Sequence, residues 1–170
     1  ASVAAYGFAR FSFRGRDFLF IVIVALMTLP QQMIAVPLFR IMNELGAVDS
    51  YAGLLVVHSA WGIPWILYFM RNYFSALPIE VEEAAKVDGA SDWRIFLQIV
   101  MPMALPAVAS SSVLQFMWVW SDFFLALILI YSPSKLLATQ RVPLLRGVYH
   151  VDWGILAAGS IIVMTVPIIV

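Results

Sequence analysis

Seven charged side chains crowd the fifteen residues from Glu80 to Arg94: Glu80, Glu82, Glu83, Lys86, Asp88, Asp92 and Arg94. Two chemistries suit such a cluster. Adjacent carboxylates, Glu82 and Glu83, could take part in hydrolysis of the intramembrane-protease kind. That would need a base and metal-type partners beside them inside the membrane. The chain offers only His58 and His150, far apart, and no cysteine. No metal site, cofactor or catalytic residue is therefore expected. The other chemistry is docking, in which an acidic helix edge seats against a basic partner surface.

The elements that must position this cluster follow from the distribution of charge. Of 170 residues, 63% are hydrophobic and 12% charged, about half the charged share of an ordinary soluble domain. Zero net charge gives no electrostatic case for nucleic acid. Charges are absent over long stretches, and crossing a bilayer core takes roughly 20 residues. Four spans are expected, at about 18–39, 51–70, 103–130 and 153–170, in an all-α polytopic bundle. Alternation puts Arg10, Arg14, Arg16, Arg71, Lys86 and Arg94 on one side, and Arg40, Lys135, Arg141 and Arg146 on the other. Six against four points the first group to the cytoplasm.

The cluster itself lies in a loop at 71–101 that is too polar to insert, since each charge costs roughly 2.5–3.5 kcal/mol at mid-bilayer. Its residues predict two short helices. Pro78 suits a first turn, and Glu80, Glu82 and Glu83 favour a helix N-terminus. Glu82 and Lys86 have the favourable i, i+4 order. Gly89 is a stop that accepts the left-handed conformation. Ser91 follows as an N-cap with Asp92 in the first turn. Trp93, Phe96, Leu97 and Val100 then form one apolar face, ended or kinked by Pro102. On the first helix, Val81, Ala84 and Ala85 are expected as a small, smooth face opposite Glu82, Glu83 and Lys86. A net acidic helix without a large aromatic is poorly suited to an anionic lipid surface, which favours a protein partner.

At these residues the chain resembles a known family. Glu83-Ala84-Ala85, then Gly89 after three residues, then Ile99-x-Met101-Pro102 after nine, is similar to the "EAA" motif of binding-protein-dependent ABC importer permeases. Met101 stands where that family usually has Leu, a swap of similar size and apolarity. Leu77-Pro78 and Asp88-Gly89-Ala90 look most like the carbohydrate branch, the maltose-type second permease subunit. Ala4–Arg16 resembles that branch's cytoplasmic loop ahead of its third span. Phe116–Phe123 is similar to its aromatic-acid stretch, with Ser121 where Asn is common, and Trp153–Val170 to its last span. The resemblance implies that earlier spans and a short C-terminal tail lie outside these 170 residues.

It further implies a multi-pass subunit of a bacterial or archaeal cytoplasmic membrane that translocates a sugar or oligosaccharide. The implied partners are a cytoplasmic ABC ATPase dimer, a second permease subunit, an extracytoplasmic solute-binding protein and membrane lipid. The ATPase contact would comprise Glu82, Glu83, Ala84, Ala85, Lys86, Asp88, Gly89 and Trp93. No G-x-x-x-x-G-K-[ST] pattern is present to cradle ATP, so hydrolysis is assigned to the partner. For the substrate pathway the candidates are His58, Gln115, Trp118, Trp120 and Asp122; an intramembrane ionisable residue is a functional hint, Asp122 fits either the pathway's outer mouth or a solvated span end, and the tryptophans fit either a sugar-stacking platform or an interfacial aromatic belt. Glycerol phosphate or peptides are alternative cargoes. A secondary transporter or channel fragment is another class, but it leaves the two-helix loop without a purpose.

Overall fold

A computed structural model describes residues 1–146 and 152–169, and these are helical with no strand among them. In chain order the helices are α1 (Ser2–Arg10), α2 (Arg16–Leu26), α3 (Ala35–Glu44), α4 (Tyr51–Ala76), α5 (Ile79–Val87), α6 (Asp92–Ile95), α7 (Met101–Met103), α8 (Leu105–Ser121), α9 (Phe124–Leu129), α10 (Ala138–Arg141) and α11 (Trp153–Ile169). Short 3-10 turns, Gln31–Ile34 and Val142–Leu145, lead into α3 and follow α10, and a π-helical turn, Phe96–Val100, joins α6 to α7. His150 lies outside the described residues.

Helix bounds differ from the hydropathy stretches for local reasons. The stretch 18–39 holds two helices, because Pro30 sits extended (φ −64°, ψ 132°) between them and cannot donate a backbone hydrogen bond. The helix over 51–70 continues through Arg71 to Ala76, where Leu77-Pro78 ends it. The stretch 103–130 is interrupted at Asp122-Phe123, between α8 and α9. Among the described residues α4 alone is long and apolar enough to cross a membrane unaided. Up to three spans result if α2 with Gln31–Glu44, and Asp92–Met103 with α8, each count as one broken span; α11 is a shorter apolar helix.

The chain divides into two compact units, Ala1–Leu29 with Gly62–Ser112, and Pro30–Trp61 with Val113–Val170. The first has a core of Ala5, Tyr6, Leu67, Met70, Phe74, Ile95, Phe96, Val100, Ala104 and Ala107. Rings of Tyr6, Phe74 and Phe96 meet there with centroids 5.0–6.4 Å apart, a spacing that aromatic pairs favour. The second has a smaller core of Met42, Leu54, Val57, Leu125, Leu129 and Ile130. Large apolar side chains point outward in both units, Ile21 at 65% exposure and Ile162 at 70%. Such residues suit a lipid solvent or a partner helix.

Polar clamps hold the loops of the second unit. The Asp49 carboxylate accepts from the backbone N–H groups of Tyr131 and Ser132, from the Ser132 hydroxyl and from the Lys135 ammonium. The Ser132 hydroxyl and N–H, then the Tyr131 N–H and Lys135, hold this carboxyl well below the ordinary carboxylate range. Gln140 is buried, donating to the carbonyls of Ala126 and Ile130 and accepting from the Leu137 N–H. Gly53 is required by close approach, because a Cβ there would collide with the Ala47 carbonyl oxygen.

Candidate functional site

The charged loop folds into a closed two-helix device within the first unit. Pro78 sits extended immediately before α5, and Glu80 and Glu82 occupy its first turn with Lys86 in its last. Both ends of the helix macrodipole are therefore opposed by charge. Gly89 is left-handed at φ +81°. Its N–H donates to the Lys86 carbonyl, and the Ala90 N–H reaches back to the Ala85 carbonyl at 3.0 Å. That pair of bonds is a Schellman closure, which satisfies carbonyls that a helix end otherwise leaves open. Ser91 caps α6 by accepting from the Arg94 N–H, and Lys86 pairs with Asp92 at 3.0 Å across the turn. The exit direction of the second helix is thus fixed by backbone conformation and by charge. Past the π-helical turn and α7 the chain bends by 73° at Ala104 into α8.

The faces of α5 differ from the sequence expectation. Glu82 is buried, 5% exposed, and Ala85 is half-buried against the core. Glu83, Ala84 and Val87 are exposed, Val87 at 89%. With Glu80 they form an i, i+3, i+4, i+7 stripe, so Ala84 is flanked by an acid and an aliphatic group. Val81 is also exposed, at 42%. Glu82 and Ala85 therefore belong to the inward face, and Lys86 pairs with Asp92 instead of Glu82. A carboxylate can be buried here because α1 supplies its partners. Arg10 Nε donates to Glu82 Oε1 at 2.7 Å, and the Tyr6 hydroxyl donates to Oε2 at 2.8 Å. Arg10 Nη2 also donates to the Leu77 carbonyl at 3.0 Å. Burial, then the hydrogen bond to Glu82, pushes the Tyr6 phenol well above its ordinary value, so it remains a donor.

These contacts bring the polar segments around Arg10 and Glu82 together. They also separate the adjacent acids. Glu82 points inward and Glu83 outward, so no shared-proton pair exists for hydrolysis. Among the described residues no group of three His, Cys, Asp or Glu could hold a metal ion. The second loop helix departs in part from the expected face as well. Ile95, Phe96 and Val100 are buried, while Trp93 is 58% and Leu97 48% exposed. Phe96 and Val100 keep the expected face, and Ile95 takes the inward place of Trp93, which lies ahead of the π-helical turn Phe96–Val100. Trp93 remains outside, its ring tilted over Phe96 at 5.5 Å. It joins Glu83, Ala84, Lys86, Val87, Asp88 and Gly89 among the exposed residues of the loop.

The candidate pathway residues lie in the second unit and have mixed surroundings. Asp122 Oδ2 accepts from the N–H groups of Leu125 and Ala126 at 3.0 and 3.3 Å, capping α9 at the break after α8. His58 Nε2 stands 3.8 Å from that oxygen, and the Thr139 hydroxyl donates to the Asp122 carbonyl. Trp120 donates from Nε1 to the Val163 carbonyl at 3.1 Å, with its ring 5.7 Å from Phe116. Gln115 is half-buried, and Trp118 is 56% exposed. An open cavity of about 310 Å³ has Ser121, Thr139 and Ser160 among its lining residues. None of the five candidates lines it. Sequence reasoning missed Tyr6, Arg10, Asp49 and Gln140 as organising residues. Arg10 alone gave a signal, as part of the polar cluster before α2.

Comparisons with known proteins bear on the whole chain. The profile of the family described as "Binding-protein-dependent transport system inner membrane component" matches residues 1–170. A probable ABC transporter permease protein of Pyrococcus horikoshii is 60% identical over 170 residues, all of this chain and 62% of that protein. An alpha-glucoside transport system permease protein of Rhizobium meliloti is 39% identical over 176 residues, with 100% of this chain and 46% of the relative covered. Among solved structures, a bacterial ABC transporter involved in the import of the acidic polysaccharide alginate superposes with a TM-score of 0.81 at 27% identity. That match covers 99% of this chain and 63% of the other. The chain thus spans less than two thirds of the length of each.

Proposed function

Because this chain belongs to the family of binding-protein-dependent transport system inner membrane components, we propose that it is the translocating part of an ABC importer permease for a sugar or oligosaccharide. A separate cytoplasmic ATPase dimer supplies ATP hydrolysis. A second permease subunit completes the pathway, and an extracytoplasmic binding protein delivers the cargo. The observation that carries this proposal is the Schellman-closed α5–α6 loop, which holds Glu83, Ala84 and Val87 outward on a short rigid helix. Flat small residues let a partner backbone approach, and an exposed acid beside them selects a basic partner group.

The carbohydrate class rests on the motif wording at Leu77-Pro78 and Asp88-Gly89-Ala90, and on relatives named for alpha-glucoside and alginate transport. Of the two candidate tryptophans, Trp118 presents the more open ring for a sugar face, 56% exposed. Asp122, beside His58, caps α9 at the α8–α9 break, and Trp120 ties α8 to α11. The four expected spans, with the loop at 71–101 on the cytoplasmic side, are part of the same proposal.

The test is reconstitution of the full-length subunit in vesicles with its accompanying permease, ATPase and binding protein. Uptake of a labelled oligosaccharide should require ATP and every component. Uptake driven by an ion gradient without the ATPase would instead identify a secondary transporter.

A further inference from the structure

We propose that α1 is a working part of the coupling device, and that the buried Tyr6–Arg10–Glu82 network makes α1 and α5 move as one body. The inference rests on the proposal that an ATPase docks on the exposed stripe of α5. It adds a route for the displacement and names the residues that carry it.

Three observations converge on α1. First, Glu82 shares α5 with the outward stripe but is turned inward and 5% exposed, and both its oxygens are taken by donors from α1. Second, Arg10 holds two places at once. It pairs with Glu82 in the first turns of α5 and donates to the Leu77 carbonyl just ahead of that helix, with only 11% of its side chain exposed. A planar guanidinium that bridges two points fixes an orientation as well as a distance. Third, α1 is seated in the core of the first unit through Ala5 and Tyr6, both nearly inaccessible, and Tyr6 contacts Phe74 and Phe96. Only the short Phe11–Gly15 segment separates α1 from α2, which opens the first long apolar stretch. A push on α5 therefore reaches α2 through α1, as well as reaching α8 directly through α6 and α7.

A polar network this enclosed does not yield gradually. Each donor is satisfied by one acceptor geometry, and half-satisfied states leave a buried charge unpaired. α1 and α5 are accordingly expected to shift together between states. Glu82, Arg10 and Tyr6 are positioning residues, because they touch neither nucleotide nor cargo.

The experiment uses the assembled full-length transporter. These 170 residues contain no cysteine; with any cysteine elsewhere in the assembly replaced, Val3→Cys on α1 and Ile79→Cys on α5, 56% and 47% exposed and away from the docking stripe, carry a spin-label pair. The label distance should be narrow and the same with and without ATP in otherwise unaltered protein. Glu82→Gln should broaden it. In the same variant uptake should fall roughly tenfold or more, the scale on which two coupled sites usually influence each other. ATP hydrolysis and capture of the ATPase should persist, so that ATP is spent without transport. The double variant Arg10→Gln, Glu82→Gln removes the unpaired charge. It should restore the amount of subunit in the membrane while transport stays low, which a merely structural role would not produce. A label distance that changes with nucleotide in the unaltered protein would overturn the proposal, as would full uptake in Glu82→Gln. If the unaltered subunit fails to capture the ATPase at all, the docking proposal itself falls, and this inference falls with it.

Discussion

Ala84→Trp should abolish ATP-driven uptake while leaving the subunit in the membrane at normal amount. Ala84 is exposed in the centre of the α5 stripe, between Glu83 and Val87. An indole there projects into the space a docked partner must occupy and contacts nothing in this chain's core. The neighbouring residue provides the contrast. Ala85 is half-buried and packed against the core, so Ala85→Trp should act on folding, because overpacking costs typically 1–3 kcal/mol. Its signature is a loss of subunit from the membrane. Glu83→Ala belongs with Ala84→Trp. If Glu83 meets a basic group in the docked state, truncating one side of the pair costs roughly 2–5 kcal/mol of binding. The measurements are ATPase capture by the solubilised subunit, uptake in vesicles and an immunoblot of the membrane fraction. Retained capture and uptake in both Ala84→Trp and Glu83→Ala would contradict the docking surface.

Gly89 should give a graded series. Its φ of +81° is unfavourable for side chains, yet a Cβ built there meets no atom within 4 Å. The penalty is therefore one of backbone conformation and not of collision. Gly89→Asn should be mildest, because Asn tolerates the left-handed region. Gly89→Ala should lose about 1–2 kcal/mol from the closed turn. Gly89→Val, branched at Cβ, should abolish uptake, since the loop escapes by unwinding its Schellman closure and the second helix leaves in another direction. Vesicle uptake should thus fall in the order Gly, Asn, Ala, Val with the subunit still inserted. Equal uptake for Val and Gly would mean that the turn does not transmit displacement.

The features of the loop that depend on nearest neighbours in sequence were legible without coordinates. Acids in a first turn, a glycine stop and a serine cap are all decided within a few residues, and α5, Gly89 and Ser91 behave accordingly. The faces were not legible, because distant partners set them. Glu82 is turned inward by Arg10, 72 residues away in sequence, and nothing in the local pattern distinguishes it from Glu83. The second loop helix is another case. Phe96 and Val100 are buried as the helical period expects, but Ile95 packs inward while Trp93 and Leu97 face out, because the core it seats against, with Tyr6 and Phe74, comes from distant segments. The interruption at Asp122 is a third. A lone acid at the end of an apolar stretch read as a pathway candidate, and the cap on α9 emerged only once the N–H groups of Leu125 and Ala126 were placed. The all-α class was plain from uncharged stretches, but helix ends were not, since hydropathy does not register Pro30 or a helix that continues through Arg71.

Docking of a separate ATPase on the α5 stripe is most directly tested by labelling single cysteines with a polar maleimide, with and without the ATPase bound. Cysteines replace Ala84, Val87 and, as a control on the segment after α3, Leu45, which is 71% exposed. Binding of the ATPase should protect positions 84 and 87 and leave position 45 labelling at its original rate. Equal labelling of positions 84 and 87 in the bound and unbound states would contradict it.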